Sequence, residues 1–146
     1  MPLSQDIRHP DHARHQQEHA EAEQIQLAKI LAANSFAHRS FFCNSGTEAI
    51  EAAVKLARKY GREMLRQDRY EIITMRGSFH GRTLGSLSAT AQEKFHKGFD
   101  PLVPGFRFVS FNDIDAVERA VNERTCAVLV EPIQGEGGVN VPAEGS

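Results

Sequence analysis

Ser45-Gly46-Thr47-Glu48 has the composition of an anion site. A serine at a helix N-cap with a glutamate three residues on is a capping-box pattern, in which each side chain satisfies an amide at the helix start. Gly46 lets backbone amides come close to a ligand, and the positive end of the helix dipole faces whatever binds there. Taken alone, a plain capped helix explains the same residues. Further along stands Ser78-Phe79-His80-Gly81-Arg82-Thr83, whose arginine could recognise a carboxylate through two parallel hydrogen bonds. A structural ion pair is the plainer alternative for Arg82. A third segment is Glu131-Pro132-Ile133-Gln134-Gly135-Glu136-Gly137-Gly138. Glu131 follows an apolar run and precedes a proline, so its backbone is held stiffly. The glycines are no dinucleotide fingerprint, because the G-x-G-x-x-G order is missing and no helix follows.

The elements that must position these residues are legible from periodicity. Residues 1–24 are polar and rich in His, Gln and Glu, and read as a disordered or loosely helical leader. His9, His12, His15 and His19 recur at spacings that suit a metal-binding helix face. A solvated polar stretch is the preferred reading, because no further ligand set completes them. From Ile25 a helix is predicted, with Leu27, Ile30 and Leu31 on one face and Asn34 and Ser35 at its end. Residues 40–43 suit a short buried strand. A helix follows from the glycine turn to about Leu65, with Ile50, Ala53, Val54 and Ala57 inward and Lys55, Arg58, Lys59 and Arg62 facing water.

Residues 70–75 read as a strand, 81–90 as a helical segment, and 106–109 as another strand after the Pro101 and Pro104-Gly105 loop. Asn112 is placed to cap a helix carrying Ile114, Val117, Ala120 and Val121. Residues 126–130 form a continuous apolar run, which implies a strand covered on both faces. Strands alternating with helices predict an α/β domain over residues 25–146 with a mainly parallel sheet flanked by helices. Ligand loops of such sheets lie at the strand carboxyl ends, so the three segments are expected to converge on one edge.

Composition narrows the function classes. The chain has 146 residues, 40% of them hydrophobic, enough for one domain with a core. A formal charge of −2 gives no reason to expect nucleic-acid or membrane partners. No apolar run approaches the ~20 residues of a membrane span. Cys43 and Cys126 read as thiols in a reducing, cytoplasmic setting.

Together the three segments, in this order and spacing, resemble the class III aminotransferases that depend on pyridoxal 5′-phosphate, in their acetylornithine branch. The resemblance runs from about Leu27 to Pro142, and the polar leader departs from it. It implies the large domain of a fold type I aminotransferase, a homodimer in its full-length form, with an amino acid and a 2-oxo acid as substrates. Amino transfer from N2-acetyl-L-ornithine, or a related ω-amino donor, to 2-oxoglutarate is the implied reaction. It places Ser45, Gly46 and Thr47 at the cofactor phosphate, Phe79 on the pyridine ring, and His80 and Glu131 in the surrounding polar network. Arg82 is then the clamp for the substrate carboxylate. Glu136 resembles the glutamate that pairs with a second substrate arginine; with that arginine not among these residues, it is expected to be a solvated loop carboxylate. The family's Schiff-base lysine sits among small residues after an apolar strand. Lys29, Lys55, Lys59, Lys94 and Lys97 have no such setting. The sequence is therefore expected to be a fragment without turnover of its own. The alternative is an inactive remnant that binds at most a phosphate, the cofactor or a complementary chain.

Overall fold

In a computed structural model of the chain, residues 10–65 and 68–143 are described, with side chains from residue 22 onward. The described residues fall into two compact units, divided between Phe42 and Cys43. In the first, helix α1 spans Pro10–Ala33. It runs unbroken past residue 24, so the change in composition there is not a break in backbone structure. Asn34 ends it, its side-chain amide donating back to the Ile30 carbonyl at 2.8 Å. His9, and the side chains of His12, His15 and His19, lie outside the described residues.

The second unit contains a three-stranded parallel sheet. Helix α2 (Gly46–Lys59) continues as a π-helical turn over Tyr60–Met64, so the helix ends where the sequence predicts. Strand β1 (Glu71–Met75) follows, then helices α3 (Leu84–Ala89) and α4 (Glu93–His96). Strand β2 (Phe106–Val109), helix α5 (Ile114–Ala120) and strand β3 (Thr125–Leu129) complete the order. The sheet order is β2-β1-β3, with Ile72 opposite Phe106 and Ala127.

β1 is central and all five of its residues are buried. Alternation along the strand sends neighbouring side chains to opposite faces. Ile73 and Met75 join Val109 in a core packed by Phe111, Ala116, Val117 and Ala120, the last three from α5. Opposite, the Thr74 hydroxyl donates to the Ala89 carbonyl at 3.0 Å, which seats α3 against the sheet. Glu71 fixes the other end of the ladder. Its carboxylate accepts from Asn122 at 2.9 Å and pairs with Arg107 and Arg124 at 3.3 and 3.2 Å. The Asn122 hydrogen bond first, and then the two guanidinium groups, hold the Glu71 carboxyl below the usual carboxylate range against the opposing effect of burial.

Five local expectations are corrected. Residues 40–43 form no strand. Phe41 and Phe42 are exposed, so the apolar side chains of this segment have no core to pack against and its backbone is left to water. The helical segment predicted over 81–90 starts at Leu84, because Gly81 is at φ 130°, outside helical conformation. Asn112, at φ 62°, is not the cap of α5: Asp113 takes that place, accepting from the Ala116 amide at 2.7 Å. Arg58 is half-buried and does not simply face water. It donates to the carbonyls of Tyr70 (3.2 Å) and Pro104 (2.5 Å) and stands 5.3 Å from the Phe106 ring centroid. The last strand is also less covered than its apolar run implies, because β3 is an edge strand: Val128 is 45% exposed. Among the described residues no helix is long and apolar enough to cross a membrane, and no group of three or more His, Cys, Asp or Glu could hold a metal ion.

Candidate functional site

Parallel pairing places the carboxyl ends of β1 and β3 side by side, so the loops that leave them meet. Three contacts lock those loops together. Gln134, 1% exposed, donates to the Arg76 carbonyl at 2.9 Å, and its own carbonyl accepts from Asn140 at 3.0 Å. Gly137 lies against the Gly77 carbonyl so closely that any β-carbon there would collide with it. Glu131 accepts the Phe79 amide at 3.0 Å, which joins the start of one motif to the middle of another.

The start of α2 reaches the same edge by a different route. The Thr47 hydroxyl lies 2.7 Å from that of Ser86 and 3.4 Å from that of Thr83. Gly81 makes this approach possible, since a β-carbon at its position would overlap the Thr47 hydroxyl and come within 2.6 Å of the Ser86 oxygen. Glu51, one turn along α2, accepts from the Thr83 hydroxyl and from the Ser86 amide, the latter at 3.0 Å. Burial works to raise the Glu51 carboxyl, but the Thr83 hydroxyl, the Ser86 and Gly85 amides and the Lys55 charge together bring it below its ordinary value. Thr83, Ser86 and Glu51 were not singled out from the sequence. The one signal was a pair of hydroxyl residues three apart at a helix start.

The helix start itself is half-satisfied. Ser45 is the N-cap, in extended conformation, and accepts the Glu48 amide at 3.3 Å. Glu48 reaches back to the Asn44 amide at 2.8 Å, one residue earlier than a capping box requires. The Ala49 amide is taken by the Ser45 carbonyl. Of the four amides that a helix start leaves over, those of Gly46 and Thr47 have no hydrogen-bond partner among the described residues. Gly46 and Thr47 border an open cavity of about 780 Å³ that is also lined by Phe79, His80, Arg82 and Glu131. Nothing stands within 4 Å of a β-carbon built on Gly46.

His80 forms part of the wall. Its amide donates to the Thr90 hydroxyl at 2.9 Å, the residue is 6% exposed, and Nε2 is buried without a partner. Burial alone pushes its pKa down to about 4, so the ring is neutral near pH 7. Arg82 is exposed and stacked, its guanidinium carbon 4.1 Å from the Phe95 centroid and 5.6 Å from that of Phe79. The two phenylalanines meet edge to face at 5.6 Å. Glu136 is exposed, as its glycine-rich loop suggests, but its carboxylate is not without partners. It accepts from Gln92 at 2.6 Å and pairs with Lys94 at 3.3 Å. Seven of the eight residues picked out by sequence therefore border one cavity or cap its helix. Glu136 stands beside it, bound to α4 and the residue before it.

The profile of the family described as "Aminotransferase class-III" matches residues 8–146. The chain belongs to the class-III aminotransferases. The match extends well before Leu27, into the polar leader. An acetylornithine aminotransferase of Caldanaerobacter subterraneus subsp. tengcongensis is 54% identical over 118 residues, which is 81% of this chain and 30% of that protein. The mitochondrial acetylornithine aminotransferase of Debaryomyces hansenii is 60% identical over 123 residues, 79% of this chain and 26% of its own. Among solved structures, an ornithine aminotransferase of Toxoplasma gondii, described as holding PLP at partial occupancy in its active site, superposes with a TM-score of 0.73. It is 36% identical, over 79% of this chain and 28% of that one. The chain thus spans less than a third of the length of the relatives it matches.

The donor set of this class-III aminotransferase chain fits a pyridoxal phosphate group. Two free amides at a helix start suit a phosphate, an aromatic residue lines the cavity beside them, and an unpartnered buried imidazole nitrogen awaits a polar partner. None of Lys29, Lys55, Lys59, Lys94 and Lys97 lines the cavity.

Proposed function

We propose that this chain forms the cofactor- and carboxylate-binding part of a pyridoxal-phosphate-dependent aminotransferase acting on N2-acetyl-L-ornithine and 2-oxoglutarate. Its setting is arginine biosynthesis, in a cytoplasmic homodimer. The observation that carries the reading is the meeting of Gly46 and Thr47, whose amides have no partner among the described residues, with Phe79 and Arg82 on one cavity. The phosphate would rest on those amides, where the helix dipole adds to their hydrogen bonds. The Thr47 hydroxyl, bonded to Ser86 and Thr83, would orient that turn as well as meet the phosphate. Ser45 keeps the helix start in place by capping Glu48.

Pyridoxal phosphate, when bound, supplies the electron sink that lets an amino group leave one carbon skeleton and join another. The chain's own residues hold and orient. Phe79 would lie on one face of the ring system, its backbone fixed by Glu131. His80, neutral near pH 7, would form part of the cavity wall without adding charge. Arg82, free of any carboxylate among the described residues and propped on Phe95, would take the substrate carboxylate through its planar fork. Relatives named as acetylornithine aminotransferases support this donor over ornithine or aminobutyrate.

The placement of the five lysines supports a second reading: the chain binds cofactor and substrate carboxylate but turns nothing over by itself. One experiment separates the two. The chain is incubated with pyridoxal phosphate, N2-acetyl-L-ornithine and 2-oxoglutarate, glutamate is quantified, and borohydride-reduced protein is mapped for labelled lysines. Saturable cofactor binding without glutamate and without a stoichiometric label is the expected result. Turnover with a label on Lys94 or Lys97 would restore full catalysis to this chain, and absence of cofactor binding would defeat both readings.

A further inference from the structure

Arg82 is among the charges that lower the Glu136 carboxyl, yet the two are not paired. Both oxygens of Glu136 are taken elsewhere: Oε2 by the Gln92 side-chain amide at 2.6 Å, Oε1 by the Lys94 ammonium at 3.3 Å. Gln92 is itself anchored, its amide nitrogen lying 3.1 Å from the Ser78 carbonyl and 3.3 Å from that of Gly77. That turn leads directly into Phe79. Lys94 and Arg82 share one aromatic support, standing 4.6 and 4.1 Å from the Phe95 centroid. Two cations and one anion thus crowd a single ring, and the anion is bound to one of the cations.

We propose that Gln92 and Lys94 are positioning residues that sequester Glu136, so that the Arg82 guanidinium is left free for a substrate carboxylate. The inference rests on the reading of Arg82 as the substrate clamp. Charge accounting gives its logic. With Glu136 bound to Lys94 the local pair is neutral, and Arg82 presents a full positive charge to an incoming carboxylate. Without Lys94, Glu136 has a guanidinium within electrostatic reach, and an arginine–carboxylate fork is the stronger pairing. Arg82 would then be occupied by the chain's own carboxylate, and a substrate would have to displace it. Phe95 keeps the two cations apart on its ring, so that both positions persist despite their repulsion.

The test has two arms. In the absence of any ligand, the Arg82 Nε–Hε signal is followed by NMR in the wild-type chain, in Lys94→Met and in Lys94→Met/Glu136→Gln. The proposal expects the signal to move and its exchange with water to slow in the single variant, and to return in the double. In the second arm, calorimetry measures N2-acetyl-L-ornithine binding to the pyridoxal-phosphate-saturated chain, with its carboxamide as control. Lys94→Met should weaken the carboxylate ligand about two- to fivefold, the range of a partly exposed ion pair, and Glu136→Gln added to it should restore affinity. The loss should shrink at high salt. A loss that Glu136→Gln does not restore, or an Arg82 signal unmoved in Lys94→Met, overturns the proposal. If Arg82→Met binds the ligand as wild type does, the assignment of Arg82 fails, whatever the NMR arm shows about Glu136.

Discussion

Acidification should destabilise the chain in two separable stages, the first belonging to His80. In the folded state its ring is buried and its Nε2 unpartnered, and burial holds the pKa near 4, against 6.5 in an unfolded chain. Between those two values the unfolded state binds a proton that the folded state refuses, so stability falls as the pH falls through this window. A difference of about 2.5 units corresponds to about 3 kcal/mol once both states are protonated, and to about 2 kcal/mol near pH 5. That is a large share of the 5–15 kcal/mol typical of a domain. Glu51, Glu71 and Glu136 act lower, because each is held below its ordinary value of 4.5, and their stabilisation is lost only as pH drops beneath it. Urea denaturation of the chain at several pH values between about 7.5 and 4.5 measures the first stage. His80→Phe, which keeps a ring of similar size without a titrating nitrogen, should flatten it. The His80 ring resonances should show no titration near pH 6.5. A midpoint near 6.5 for His80, or the same pH slope in the variant, would refute the reasoning.

Other perturbations follow from the loop contacts. Gly81→Ala puts a β-carbon onto the Thr47 and Ser86 hydroxyls at a backbone angle that L residues rarely adopt. A loss of about 1–3 kcal/mol in denaturant melts is expected, with weakened pyridoxal phosphate binding; a stability equal to wild type would show that α2 and α3 do not need this approach. Gln134→Leu leaves the Arg76 carbonyl and the Asn140 amide without their partner, and should cost about 1–3 kcal/mol. Hydrogen exchange over residues 131–140 should quicken in that variant, and unchanged protection would mean that the bridge does not hold the loop.

How far the sequence reaches depends on whether a residue's fate is decided locally. β1 and β2 and the cap at Ser45 are local matters of periodicity and turn chemistry, and they stand where those patterns put them. The run over residues 40–43 has strand composition but no described ladder partner, and composition cannot supply one. Arg58 has the spacing of a water-facing helix residue, yet the carbonyls of Tyr70 and Pro104 capture it from distant chain positions. The same holds at the site. Gly46, Phe79, Arg82 and Glu131 announce themselves as motif residues, and parallel strand order brings them together. Thr83, Ser86 and Glu51 became visible only once α2 lay beside α3, and the partners of the exposed Glu136 carboxylate, Gln92 and Lys94, come from a distant part of the chain. Hydrogen bonds between residues 32 to 44 positions apart leave no periodic trace.

The central claim is that backbone amides at the start of α2 hold a phosphate, and Gly46 allows that claim to be tested one hydrogen at a time. Proline is favoured at the first helical position, and Ser45, at φ −151° and ψ 160°, already has the extended conformation that a following proline requires. A β-carbon at Gly46 meets open space. Gly46→Pro therefore removes one donor and keeps the helix, while Gly46→Ala keeps both. Equilibrium titration of the wild-type chain and the two variants with pyridoxal phosphate, and with pyridoxal as the phosphate-free control, reads the amide directly. The account predicts that Gly46→Ala binds pyridoxal phosphate like wild type, and that Gly46→Pro loses about 10- to 100-fold, the worth of a hydrogen bond to a charged group. Pyridoxal should bind all three alike. Wild-type affinity of Gly46→Pro for pyridoxal phosphate would contradict the account.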